Sequence, residues 1–344
     1  MFTRQNSTDG LAQSGANNLL RSYGDLTQSL LPLESRILTT GFSIGICAAD
    51  RATNLHHLLN LIEHETYPEG LSLRKVVVVA SGCQPQTLEY LHEQACRSNS
   101  FTLIQESERK GKAEAINKII DAYKGQFLVL INSDAMPEPG AISKLLTVIA
   151  GNRTVGVVSA SPMFASGRRG LTSAILQLIW GIHNQCLLTL NAKDQNNHCC
   201  DELVVLRSDA LQKLPEGTVN DGAYLAGMAY QSGYAVRFSA EARVRIDVPF
   251  KFVELIQQRR RIVYGHLQIT RTIGRSPRTV ESLLADNPRL GLSILIKTLA
   301  QSPWLILALP VAVMGEAISV ALANLDSVIS SSKHARWDRV GSRA

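Results

Sequence analysis

Residues 126–134 read Gln-Phe-Leu-Val-Leu-Ile-Asn-Ser-Asp. Phe127 to Ile131 are an unbroken apolar run, the form a strand takes when both its faces are buried. The run stops at Asn132, Ser133 and Asp134, so a carboxylate falls just past the strand's C-terminal end. Working outward, residues 74–80 (Arg-Lys-Val-Val-Val-Val-Ala) hold a run of the same kind, and Phe42 to Cys47 alternate as a strand does. Further strands are expected at 101–105 and 155–159. Between them, Leu55, Leu58, Leu59 and Ile62 recur at the helical period within 54–64. Helices are also expected at 86–97, 112–123 and 141–150. Strand and helix alternating at this spacing predict an α/β fold with a doubly wound, mostly parallel sheet. Right-handed crossovers then gather the loops beginning at Ala48, Ala80, Ser107 and Asn132 on one edge, where such sheets bind ligands.

Composition narrows the function classes. The chain has 344 residues, 19% of them charged and 45% hydrophobic, which excludes a disordered protein. Its mean hydropathy of +0.03 excludes a polytopic membrane protein. None of the six cysteines stands in a CxxC pair, which points to a reducing compartment and away from a disulfide scaffold or zinc ribbon. The net charge of +6 is concentrated between Lys251 and Arg278, where seven basic residues face Glu254 alone. A focused basic stripe needs an anionic partner: ligand phosphates, lipid headgroups or nucleic acid. Nucleic acid is disfavoured, because the stripe lacks interleaved aromatics beyond Tyr264. No GxGxxG follows the first strand, which removes a dinucleotide-dependent oxidoreductase.

Residues 1–36, rich in Gln, Ser, Asn and Gly, read as a mobile arm without the basic-then-apolar order of a secretory signal. Residues 37–270 read as the catalytic domain, with halves at 37–140 and 141–270. Residues 171–191 form an amphipathic helix, either along a membrane surface or in an ordinary core. Thr298 to Gly315 carry no charge, and Glu316 alone interrupts the apolar stretch before Leu325. About 20 residues span a bilayer, so 287–330 is expected to attach to a membrane by crossing it, re-entering or lying in its interface. Residues 331–344 are a basic tail.

Four motifs could carry chemistry. Asn132-Ser133-Asp134 either holds a hard divalent cation through oxygen ligands or is a turn bonding its own backbone. Lys110-Gly-Lys-Ala-Glu-Ala-Ile-Asn117 places a glycine and a lysine at a helix start, suited to an anion. In Asn220-Asp221-Gly222, Asp221 either caps the following helix or is a general base. Gln257-Gln-Arg-Arg-Arg-Ile-Val-Tyr-Gly265 offers bidentate donors to a diphosphate or a basic patch to lipid headgroups. His198-Cys199-Cys200-Asp201 is read as a loop near the acceptor side.

In series, these motifs resemble the inverting family 2 glycosyltransferases, nearest the branch of the ceramide glucosyltransferases and the cellulose and hyaluronan synthases. The resemblance runs from about Phe42 to Gly265. The segment 49–55 stands at the family's first turn. Lys110 to Asn117 is similar to its Gly-Lys-x-x-Ala-Leu-Asn segment, and Phe127 to Pro139 to its Asp-x-Asp strand. Asn220-Asp221 stands at its Glu-Asp pair, and Gln258 to Ile262 at its Gln-x-x-Arg-Trp motif. Four positions depart: Asn132 for the first Asp, Ala80-Ser81-Gly82 for Asp-Asp-Gly, Asn220 for Glu and Ile262 for Trp.

The resemblance implies a glycosyltransferase A-type domain and a single displacement with inversion. Asp134 would hold Mg²⁺ or Mn²⁺ on the donor diphosphate, and Arg261 and Arg260 would share its charge. Asp221 would be the base, and Gln258 would position acceptor or pyrophosphate. Ala48, Asp50, Ser81, Lys112, Asn117, Asn132 and Ser133 would line the nucleotide pocket. The donor would be a nucleotide-sugar, a UDP-sugar before a GDP-sugar. The acceptor would be a lipid or glycan at the cytoplasmic face of a membrane, receiving one sugar or a few. The four departures also fit a degenerate transferase serving as a scaffold in a glycan-assembly complex.

Overall fold

The computed structural model describes residues 40–49, 54–164, 170–249, 251–329 and 334. Asp50, the N-terminal arm and the tail lie outside the described residues, His334 excepted.

The first half alternates as the apolar pattern predicts: β1 (Thr40–Ala49), α1 (Leu55–His64), β2 (Leu71–Ser81), α2 (Pro85–Arg97), β3 (Phe101–Glu106), α3 (Lys112–Ala122) and β4 (Phe127–Asn132). Then come the short β5 (Met136–Pro137), α4 (Ala141–Gly151), β6 (Val155–Met163), α5 (Leu171–Asn191), β7 (Leu203–Arg207), α6 (Asp221–Gln231) and β8 (Ala235–Arg245). Four more helices close the chain: α7 (Phe252–Ile273), α8 (Val280–Asp286), α9 (Pro288–Gln301) and α10 (Leu309–Ile329), with a 3₁₀ turn at Pro303–Leu307.

All eight strands join one sheet in the order β3-β2-β1-β4-β7-β6-β8-β5. The pairs β1–β2, β1–β4, β2–β3 and β6–β8 are parallel, whereas β7 runs antiparallel to both β4 and β6. Residues of β4 alternate between two cores. Phe127, Val129 and Ile131 meet α1, α2 and α4; Leu128 and Leu130 meet α3 and α6. That period-2 division is why the run had to be apolar throughout. On α1, Leu55, Leu58, Leu59 and Ile62 are the buried residues, as their spacing predicts.

Helix α5 buries Ile175, Leu176 and Leu178 in one apolar cluster and Cys186 and Leu190 in another, which makes it a core helix. The long, basic α7 is flanked by α10. Helix α10 turns Gly315, Ser319 and Ala323 inward at four-residue intervals, so small side chains let the two helices approach. Ion pairs lock this seam: Arg259 Nε donates to Glu316 at 2.8 Å and Arg260 Nε to Asp326 at 2.5 Å. The opposite face of α10 is apolar and exposed, with Val313, Met314, Val328 and Ile329 beside Trp304 and Leu307 of the preceding turn. Among the described residues, α10 is the one helix long and apolar enough to cross a membrane.

Candidate active site

Register brings the predicted loops to one edge. Cys47 of β1 pairs with Asn132 of β4, Ala48 pairs with Ala80, and Ser81 pairs with Glu106. Because β7 is antiparallel to β4, with Leu203 opposite Ile131, it is the residues before β7 that reach this edge. Asp201 and Glu202 therefore join the site. The Asn132 backbone N–H donates to the Glu202 carbonyl at 3.2 Å, and its Nδ2 donates to Glu202 Oε2 at 2.7 Å.

Two further elements complete the centre. Lys112 opens α3, and its Nζ lies 2.5 Å from Asp201 Oδ2 and 2.9 Å from Asp221 Oδ2. Asp221 is the first residue of α6; the cap is Asn220, whose side chain accepts from the Ala223 N–H at 3.0 Å. Capping is thus Asn220's task, and the Asp221 carboxylate is left for Lys112. Two glycines permit the close packing here. A side chain at Gly222 would collide with Asp201 and the Cys199 carbonyl, and one at Gly265 would collide with Asn220 where α7 crosses.

The electrostatics follow from burial among charges. Burial works against a charged Lys112, but Asp201, Asp221 and Glu202 hold its pKa well above the ordinary lysine value. Burial opposes ionisation of Asp201 too, yet Lys112 and Arg261 win and hold it at about 2. Asp221 goes the other way: burial, with Asp201 adding to it and Lys112 opposing, raises its pKa above the ordinary aspartate value. Arg261 belongs to this cluster; burial lowers its pKa while Asp221 and Asp201 oppose the shift. Burial pushes the Cys47 thiol up to about 12 and those of Cys199 and Cys200 well above their usual range. Cys199 Sγ donates to the Gly222 carbonyl at 3.2 Å.

The predicted residues divide. Ala48, Ser81, Asn132 and Ser133 lie along the edge, with Ser81 Oγ donating to Glu106, which also pairs with Lys118. Asp134 follows β4, and its backbone carbonyl accepts from Asn54 Nδ2 at 3.4 Å. Gln258 faces a cavity that Asp201 and Asn220 also line. Two of the predicted residues bond elsewhere. Asn117 does not face the edge: its Nδ2 donates to the Leu214 carbonyl at 2.9 Å and its Oδ1 accepts from the Leu214 N–H at 2.8 Å, which ties α3 to the loop before α6. Arg260 is committed to Asp326 of α10 through both Nε and Nη2, because its position on α7 aims it at that helix and not at Lys112.

Glu202 was missed in the sequence, and Asp201 was read only as part of a loop near the acceptor side. The available signal was an acidic pair just ahead of an apolar strand, and it needed the strand's direction to be read. Glu202 places a carboxylate beside Asn132 at the strand end. Burial, with Asp201 and Asp134 adding to it, pushes Glu202 up to about 8. A divalent cation would relieve this crowding of negative charge, and two carboxylates of hard oxygen donors fit Mg²⁺ or Mn²⁺ with phosphates completing the shell. Among the described residues no three His, Cys, Asp or Glu form a full cage.

The family described as "Glycosyltransferase like family 2" matches residues 40–265. No curated protein matches the sequence. Among solved structures, the mannosyltransferase PcManGT from Pyrobaculum calidifontis, in complex with GDP-Man and Mn²⁺, superposes with a TM-score of 0.57 at 17% identity, covering 92% of this chain and 97% of that one. S. aureus TarS and its 1–349 portion give TM-scores of 0.44 and 0.45 at 15% identity; both cover 66% of this chain, and 40% and 65% of their own. The first likeness shows the fold, an α/β domain of the glycosyltransferase A type.

Proposed function

The chain belongs to the family 2-like glycosyltransferases, and from that premise we propose that it is an active, inverting hexosyltransferase with Asp221 as its base. The observation that carries this reading is the convergence of Asp221, Lys112 and Arg261 at the strand edge ending in Asn132-Ser133-Asp134. The finer placement, near the ceramide glucosyltransferase and cellulose and hyaluronan synthase branch, rests on the resemblance of the motif series alone.

In the proposed reaction the acceptor hydroxyl gives its proton to Asp221 as its oxygen attacks the anomeric carbon. The bond from that carbon to the diphosphate oxygen breaks, and the nucleoside diphosphate leaves with the electron pair. Arg261 faces the developing charge as a fixed donor. Lys112 fixes the base carboxylate and supplies positive charge beside the leaving group. Asp134 and Glu202 would hold a divalent ion, which when bound neutralises charge on the diphosphate. Ala48, Ser81 and Ser133 would border the nucleotide. Both UDP- and GDP-sugars are carried as donors, the second because the similar mannosyltransferase holds GDP-Man with Mn²⁺.

The acceptor side is proposed to be a lipid or membrane glycan, reached by docking α10 on a bilayer. The exposed apolar face of α10 supports this, with Val328 85% and Ile329 78% exposed. Its other face is tied to the charged α7 by Glu316 and Asp326. A crossing α10 would carry α7 and its arginines into hydrocarbon, so the seam favours a helix lying in the interface.

Calorimetric titration with UDP and GDP, each with and without Mn²⁺, tests the donor side. One nucleotide should bind only with the metal, and Asp134→Ala should weaken that binding on the order of tenfold or more. A folded protein that binds neither nucleotide would replace the enzyme with the scaffold reading.

A further inference from the structure

A cavity of about 520 Å³ opens beside the Lys112 cluster, between α5, α7 and α10. Small-molecule sites typically measure about 300–1,000 Å³. Most of its wall is apolar, including Leu176 and Trp180 of α5 and Ala312 and Val313 of α10. Its polar end is unusual. His183, His198 and His266 line it, with ring centroids 5.6 Å apart for the first pair and 5.3 Å for the second. The Nε2 atoms of His183 and His266 are buried and have no hydrogen-bond partner among the described residues. A buried polar atom without a partner costs about 1–3 kcal/mol, and both of these belong to residues that line the cavity, so a ligand that reaches them there would relieve that cost.

The charge of the wall defines what that is. Burial lowers His183 to about 3 and His198 to about 4, so the imidazoles are neutral near pH 7. Of the lining cations, Arg259 is paired with Glu316 and Glu281, and Arg278 donates to Gln195. Asp201, Glu281 and Glu316 line the same space, each paired with Lys112 or Arg259, so the wall carries no surplus of cations to hold an anion. Neutral imidazoles suit a hydroxyl, which both donates and accepts. Asp201 and Asn220, at the same polar end, adjoin Asp221 through Lys112 and the α6 cap.

We propose that this cavity is the acceptor subsite and takes an uncharged, hydroxyl-bearing amphiphile, its head at His183 and His266 and its hydrocarbon between α5 and α10. The assignment rests on the glycosyltransferase reading. Val313 both lines the cavity and is 59% exposed on the apolar face of α10, which gives the hydrocarbon a route from a bilayer.

Trp180 reports on occupancy. In the full chain carrying Trp304→Phe and Trp337→Phe, it is the remaining tryptophan of three. Titration with a brominated monoacylglycerol should quench it saturably. Ala312→Phe should abolish the quenching, and the smaller filling Ala312→Leu should weaken it. His183→Phe with His266→Phe should weaken the acylglycerol about tenfold, the loss of one to two hydrogen bonds, and leave a brominated alkane without a head unchanged. Quenching that survives Ala312→Phe, or a brominated phosphatidic acid that binds more tightly than the acylglycerol, would overturn the proposal. Nucleotide titration of the same samples separates the two readings. Nucleotide binding without quenching removes the subsite and keeps the enzyme, whereas quenching without nucleotide binding keeps an amphiphile-binding cavity and overturns its role as an acceptor subsite.

Discussion

Asp221→Asn should lower sugar transfer by about 10²–10⁴-fold, the range for loss of a general base, while metal-dependent nucleotide binding persists. The substitution keeps the size of the side chain and the Asn220 cap, so α6 should remain in place. The amide cannot take the acceptor's proton. The wild-type profile carries a second signature. Because burial raises the pKa of Asp221, turnover should begin to fall on acidification at a pH above the ordinary aspartate value of 3.8. Single-turnover transfer followed across pH in both proteins would check both points. Undiminished transfer by the variant would remove Asp221 from the chemistry.

The second large effect belongs to Lys112. Lys112→Met removes the cation between Asp201 and Asp221 and leaves two carboxylates facing each other. Breaking a buried ion pair by deleting one partner costs about 3–5 kcal/mol. The lower end is expected here, since the Lys112 side chain is 26% exposed and Asp201 33%. The pH dependence has a definite sign. Asp201, held at about 2, contributes stability that is complete above 3.8 and is lost as pH falls toward 2. The gap between wild type and variant should therefore be widest near neutrality and should narrow in acid. Thermal unfolding at several pH values would show this, and Lys112→Arg should recover most of the loss. A constant gap would mean that Lys112 acts through packing alone.

How far the sequence could be read depended on how local the information was. The apolar run of β4 and the spacing of Leu55, Leu58, Leu59 and Ile62 are written within single elements, and both gave the correct faces. The reversal of β7 is not local. Nothing in Leu203 to Arg207 states which way the strand runs; for that reason Glu202 passed unnoticed and Asp201 was read only as part of a loop. The three arginines of α7 show the same limit. Successive helical residues point about 100° apart, so the run had to be divided among different partners. Arg259 and Arg260 take theirs from α10, roughly 60 residues along the chain, whereas Arg261 turns to Asp201 and Asp221. Asn117 is a milder case, since its amide matches the main chain of Leu214, a partner no motif announces.

The seam between α7 and α10 bears on how the protein can be handled. Cutting the chain before Leu309 is the obvious way to remove its greasiest stretch and ease purification. That cut would also strip Glu316 from Arg259 and Asp326 from Arg260, and would take the small-residue stripe off the flank of α7. The trimmed protein would then leave Arg260 without Asp326 and Arg259 with Glu281 alone, on the helix that supplies Arg261 and Gln258. The full chain is the sounder starting material, because its most apolar helix is also part of the frame.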